Sequence, residues 1–379
     1  MLVARILGID IRIHVSWFLI FGLVLLSLSD RVLPAIRPTW SDEKTLIVAV
    51  VAAVLFFGSV LAHELAHAVV ARAFRMPVTS ITLFLLGGVA NLAKEPPSAR
   101  AEFLMASAGP LTSLILGGAG LGLAEVVGQR IDTFPALDPV EVVASYLGLI
   151  NLALAAFNMI PGFPLDGGRV LRSVVWGASR NRSAATRIAA RGGQLVAVLL
   201  VLGGVVRSFT NGDAFSAVWM GLIAYFLYNA ATAALDQERV TATVSGVRVS
   251  SLMTTEFHSV PAHTTVGELI SDHILPYNTR AVAVVDGAVL LGLVTIGDLR
   301  NVHQRDWPVT PVDRVMRPAS QLPTLSPDDR LLTAIERFSE NEIPVLPVMK
   351  GSALVGVLER DAVASYVRMR DMLGVDGRR

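Results

Sequence analysis

The chain has 379 residues, 53% hydrophobic and 17% charged, with 32 basic side chains against 31 acidic ones. So apolar a composition excludes an ordinary soluble protein and calls for several membrane spans. The near-zero net charge offers no bulk attraction to nucleic acid, so no nucleic-acid partner is expected. The absence of cysteine excludes disulfides, thiol catalysis and cysteine metal sites, and leaves His, Asp and Glu to hold any metal.

In chain order, the lead-in MLVARILGIDIRIHVSW precedes an apolar run over about residues 15–28, the first expected span. That run is short for a bilayer unless IRIHVSW joins it. No A-x-A type cleavage site follows, so it is expected to stay as a helix. Two roles are open to His14: a place near a metal, or a structural one at the helix entrance. A polar loop over 30–44 holds Pro34 and Pro38. The second span, about 46–74, is uncharged from Leu46 to Ala62 and ends in LAHELAHAVVAR. On a helix His63 and His67 lie one turn apart on one face. Two imidazoles so placed supply two of the three protein ligands of a catalytic zinc. Glu64 beside them suits a general base acting on the attacking water. Ionisable groups inside a membrane helix usually mark a functional site. The competing reading is a histidine pair satisfied by hydrogen bonds between helices.

The stretch MPVTSITLFLLGGVANLAKEPPSAR, broken at Gly87-Gly88, reads as strands or a hairpin. At membrane depth such a segment must be covered by protein or line a cavity. It offers either a strand edge to an extended peptide or a plain connection. A third span is expected over about 103–127, where the small residues of SAGPLTS allow close helix packing. A fourth covers about 140–160 and runs into NMIPGFPLDGGR; a fifth covers 194–206 and a sixth 214–235. Six spans put both termini on one side. With that side cytoplasmic, the inner segments before the tail hold twelve basic residues, Lys94 among them, and the outer loops five (Arg31, Arg37, Lys44, Arg130 and Arg207). HELAH and PLDGG then fall at similar depth.

A third ligand must come from the few acids near the spans. Asp166 stands on a turn made irregular by Pro161 and Pro164 and followed by Gly167-Gly168. Its residues alone leave two roles open: metal ligand, or N-cap of a helix starting at Gly168. Glu95 is the other nearby acid. Asn158 is placed to donate to a substrate carbonyl or to an oxyanion.

HELAH in an early span, a following glycine-bearing segment, SAGPLTS and FNMIPGFPLDGGR together resemble the site-2 protease family of intramembrane zinc metalloproteases, over about residues 1–235. The resemblance implies that His63, His67 and Asp166 hold one Zn2+ per chain and that Glu64 is the catalytic base. It makes Asn158 the family's active-site asparagine and the Gly87-Gly88 segment a membrane-embedded hairpin that engages substrate.

Beyond Asp236 the composition becomes that of a soluble α/β domain, and it repeats. Met253 aligns with Met316 and Asp298 with Asp361, each pair 63 residues apart (316 − 253; 361 − 298). Each copy reads as a short strand, a helix, two strands and a closing helix. This resembles a tandem pair of CBS domains, which often bind adenine nucleotides. Gly292, Thr295 and Asp298 fit the G-x-x-T-x-x-D pattern of the nucleotide site; in the second copy GVLERD is one residue shorter and only Asp361 carries over. A nucleotide site and a purely structural, dimerising pair both remain open. The four tail histidines, irregularly spaced, read as surface or structural residues.

The expectation is thus a polytopic α-helical membrane domain of about six transmembrane helices with a membrane-associated β-hairpin (1–238), followed by a soluble α/β tandem CBS domain (239–308 and 309–379). The membrane domain would cleave a transmembrane protein or peptide under control of a cytoplasmic tail. That tail is a candidate for adenine nucleotide binding and for homodimer formation. The alternative is a transporter or channel gated by the CBS pair, with the His/Asp cluster as its ion pathway.

Overall fold

The computed structural model describes residues 1–84, 87–92, 96–212, 214–244, 246–287, 289–341 and 343–373, so Lys94 and Glu95 lie outside the described residues. These residues fall into two compact units, Met1–Asp236 and Gln237–Arg379.

In the first unit, six helices among the described residues are long and apolar enough to cross a membrane. They are α1 (Val15–Ile36, with a π-helical turn over Leu28–Val32), α2 (Asp42–Ala73), α3 (Ala99–Gly128), α4 (Asp138–Asn158), α6 (Arg182–Asn211) and α7 (Ala214–Val244), with the shorter α5 (Asp166–Ser179) between α4 and α6. The chain is therefore a multi-pass membrane protein. Side-chain caps start several of these helices: Ser41 accepts from Lys44 N–H, Ser98 from Ala101 N–H and Asn181 from Ala184 N–H. At 1.5 Å per residue the 32-residue α2 is roughly 48 Å long, more than the apolar core of a bilayer. Its capped start and Arg72 at its end can thus both reach headgroup level.

The lead-in does not extend α1. It forms a hairpin, β1 (Leu2–Ile6) and β2 (Ile9–Ile13), closed by a turn in which Leu7 and Gly8 both have positive φ (52° and 73°). The alternation of Ile9, Ile11 and Ile13 with Asp10 and Arg12 carries the period of a strand. Ile9 and Ile11 are buried against Val60, Ala68 and Ala71 of α2. β2 runs parallel to β3 (Val78–Phe84), which pairs antiparallel with β4 (Gly87–Leu92), giving the order β1-β2-β3-β4. Arg72 ties the sheet to α2 by donating to the carbonyls of Leu7, Gly8 and Val78. The expected hairpin around Gly87 is thus one half of a four-stranded sheet packed on the C-terminal half of α2.

The expected sixth span ends at 235, but its helix continues through LDQERVTATV to Val244, and the division between the units falls inside that helix. In the second unit the strands order as β5-β6-β7-β10-β9 (Ser259–Pro261, Ala281–Asp286, Val289–Thr295, Ala353–Glu359, Val345–Lys350), with β8 (Arg317–Pro318) beside β7. The repeat shows in the pairing: β5 runs parallel to β6, and Leu325 makes a parallel bridge to Val348 of β9. Each copy has its own core, one around Val266, Val282 and Val294, the other around Leu331, Leu346 and Leu358. Val249, from the start of the tail, packs in the second core, and Val312, from the connection between copies, in the first.

Candidate active site

Three elements converge on one point. α2 presents His63 and His67, and α5 begins at Asp166. Asp166 Oδ2 lies 3.1 Å from His63 Nε2 and 3.2 Å from His67 Nε2. The three ligand atoms all lie within 4.8 Å of one another. The N-cap of α5 is Leu165, without a side-chain capping bond, so the carboxylate faces the histidines and does not serve as the helix cap.

The third element, α3, orients the imidazoles from behind. His67 Nδ1 lies 2.7 Å from the Met105 carbonyl oxygen, and His63 Nδ1 lies 2.9 Å from Ser113 Oγ. A carbonyl oxygen only accepts, so His67 Nδ1–H is the donor and Nε2 of the neutral ring carries a lone pair. That lone pair meets a carboxylate oxygen, acceptor against acceptor, and a cation between them satisfies both. A tetrahedral zinc with bonds of about 2.0–2.1 Å holds its ligand atoms roughly 3.3 Å apart, close to the two separations measured here. The His2Asp set therefore fits a zinc ion, and the Nδ1 partners are of the kind that fix tautomer and ring orientation in zinc sites. Between Met105 and Ser113, Gly109 leaves the room: a Cβ there would stand 2.3 Å from His67 Nε2 and 2.5 Å from His63 Nε2.

His63 is only 4% exposed, and Glu64, His67 and Asp166 are partly buried. All four line a cavity of about 410 Å³, together with Asn158, Gly87, Gly88 and Arg169 and the apolar Val60, Phe84, Phe157 and Phe226. The apolar side chains in this lining lower the local dielectric and strengthen electrostatic interactions at the site. Gly88 of β4 presses on the base candidate, since a Cβ there would lie 2.4 Å from Glu64 Cγ. Gly87 has φ +134°, a backbone that side chains rarely adopt. Asn158 reaches the same cavity wall while one of its amide hydrogens goes to the Leu154 carbonyl, 3.0 Å away. The fold thus gathers His63, Glu64, His67, Gly87, Gly88, Asn158 and Asp166 in one place. His14 is elsewhere: its Nδ1 accepts from Ser16 N–H at the start of α1.

Sequence reading missed Met105, Gly109 and Ser113 as site residues. SAGPLTS does signal small residues, and read as a packing surface it hides a serine aimed at a ligand. The Met105 contact is made by a main-chain carbonyl and leaves no mark in the sequence.

In the second unit Thr295 and Asp298 meet as a reciprocal cap. Thr295 Oγ1 lies 2.6 Å from Asp298 Oδ2, which also accepts from Thr295 N–H. Arg317 Nε donates to Asp298 Oδ1 at 3.1 Å, and Asp361 pairs with Arg280 at 2.7 Å.

The family model described as Peptidase family M50 matches residues 51–138 and 122–203, and the CBS domain model matches residues 249–304 and 312–368. The chain is 34% identical to sll0528 of Synechocystis over 95% of this chain and 93% of the relative. It is 34% identical to Rip3 of Mycobacterium tuberculosis over 96% and 91%. Zinc metalloprotease MJ0392 of Methanocaldococcus jannaschii is 28% identical over 94% and 92%. The names of the first two also class them as zinc metalloproteases, and the transporter alternative finds no support among these relatives.

Proposed function

Because the chain belongs to the M50 family of peptidases and carries a CBS domain pair, we propose that it is an intramembrane zinc endopeptidase whose tail adjusts its activity. The observation that carries the reading is the convergence of His63, His67 and Asp166 with Glu64 in one largely apolar cavity within the membrane unit. His63, His67 and Asp166 would hold one zinc ion, which when bound polarises the scissile carbonyl and makes water nucleophilic at neutral pH. Glu64 takes the proton of the attacking water and hands it to the leaving nitrogen. Asn158, with one amide hydrogen left uncommitted by its helix, steadies the oxyanion. β4, beside Glu64, aligns an extended substrate strand over the site. A helical segment hides its peptide bonds, so the substrate is a membrane segment that unwinds near the cut.

By the excess of basic residues in alternate loops, the N-terminus and tail face the cytoplasm. Thr295 and Asp298 would contact the ribose and phosphates of an adenine nucleotide, which must then displace Arg317 from Asp298; Asp361 would contribute less. The tail is also the surface for a homodimer. Nucleotide changes turnover only if it prefers one arrangement of the pair.

A single-span peptide in detergent tests the peptidase reading. Purified protein should cleave it, stop on zinc chelation and resume when zinc returns. Cleavage indifferent to chelation would contradict the reading.

A further inference from the structure

The face of α3 that orients the histidines continues by one turn toward its N-terminus. Ser113, Gly109 and Met105 follow helical spacing, and Glu102 lies three residues before Met105, on the same side. Glu102 is fully buried, an expensive place for a carboxylate in a membrane helix. Its partner is Arg172 of α5: Nε donates to Oε1 at 2.6 Å, and Nη2 donates to the same oxygen. The guanidinium also lies over the Phe163 ring, 5.1 Å from its centroid. α5 is the helix that begins at Asp166. At its start Gly167 is wedged against the backbone of Met159 and Ile160, where a Cβ would come within 2.4 Å. The helix is therefore pinned twice, by backbone contact at its first turn and by the Arg172 fork one and a half turns on.

We propose that Glu102 and Arg172 are positioning residues for the metal site: by fixing α5 against α3, they hold Asp166 at the distance from His63 and His67 that a metal requires. The inference rests on the reading of those three residues as zinc ligands. α3 then acts as a common ruler. One face of one helix sets His67 through Met105, His63 through Ser113 and Asp166 through Glu102. A purely stabilising pair would not need this geometry, because a buried ion pair replaced by apolar residues of similar volume is often neutral or favourable for stability. Its use here is placement.

That contrast supplies the test. The double variant Glu102→Leu with Arg172→Met keeps the volume and removes the fork. Glu102→Asp keeps the charge and withdraws the carboxylate by one methylene, and serves if the double variant does not fold. Each is purified as the full chain in detergent alongside wild type and Asp166→Ala. Three properties are read: melting temperature, zinc affinity by competition with a chelator, and the visible absorption of the Co2+-substituted protein, which reports ligand geometry. Zinc held by wild type and lost by Asp166→Ala establishes the site independently of this inference. On that footing the double variant should melt near wild type and bind zinc about 10–100-fold more weakly, the range typical for groups that orient metal ligands. Its Co2+ bands should shift. Glu102→Asp should weaken zinc binding about tenfold with the same shift. Wild-type zinc affinity and Co2+ spectrum in a folded double variant, or in Glu102→Asp, would overturn the proposal and leave the zinc site standing.

Discussion

Removing the Ser113 hydroxyl separates metal geometry from helix packing. Ser113 is fully buried, and its Oγ lies 2.9 Å from Nδ1 of His63, itself 4% exposed. With Nε2 committed to a metal, Nδ1 carries the hydrogen and the serine oxygen accepts it. In Ser113→Ala that buried N–H loses its partner. A buried donor without a partner costs about 1–3 kcal/mol. At about 1.4 kcal/mol per tenfold, that is roughly a 5- to 150-fold loss of zinc affinity, consistent with about 10–100-fold for groups behind metal ligands. Thr112 is the internal control. Its hydroxyl donates to the Ala108 carbonyl within the helix, 2.9 Å away. Thr112→Ala removes the same kind of group one residue along and should leave zinc affinity within about twofold. Competition with a fluorescent zinc chelator measures both. Equal zinc affinity in Ser113→Ala and wild type would refute the account of how His63 is held.

Gly109→Ala should be more severe, because the added methyl would stand 2.3 Å from His67 Nε2; zinc affinity is expected to fall by about a hundredfold, read by the same competition. Asp298→Ala should abolish the heat of ATP, ADP or AMP binding to the full chain in calorimetry, while Asp361→Ala weakens it less; equal heats in both variants would remove Thr295 and Asp298 from the site. At the start of the 266–277 helix in the tail, hydrogen bonds from Thr265 N–H and Oγ hold the Glu268 carboxyl below its ordinary value of 4.5. A depressed carboxyl stabilises the fold above its unfolded value and loses that contribution as pH falls through the folded one. Protection of this helix against hydrogen exchange, corrected for the intrinsic rate at each pH, should therefore fall below about pH 4.5 in wild type, and depend less on pH in Glu268→Gln.

Much of the membrane unit was legible because hydropathy and helical spacing act locally. The apolar run before HELAH announces a span, and the four-residue step between His63 and His67 puts both rings on one side. Asp166 was less legible: an acid before Gly-Gly suits a helix cap as well as a metal, and the sequence alone leaves the choice open. The structure places it against the histidines because α5 starts at that residue and Leu165 takes the cap position. β1 and β2 did carry a signal, the alternation from Ile9 to Ile13, masked by the apolar residues that run on into α1. Glu102 looks like an ordinary acid in a helix's first turn; only the fold shows that it is buried and paired with a residue 70 positions away. Helical continuation through LDQERVTATV was hidden for the opposite reason. The stretch lacks the long apolar run that marks the spans before it.

The most direct test of the central claim is zinc content and cleavage measured together on Glu64→Gln. Glutamine leaves all three proposed ligands in place but cannot accept the proton of the attacking water. The account predicts one zinc per chain, as in wild type, with cleavage of a single-span peptide reduced by about 10²–10⁴-fold. Wild-type turnover in Glu64→Gln would contradict it.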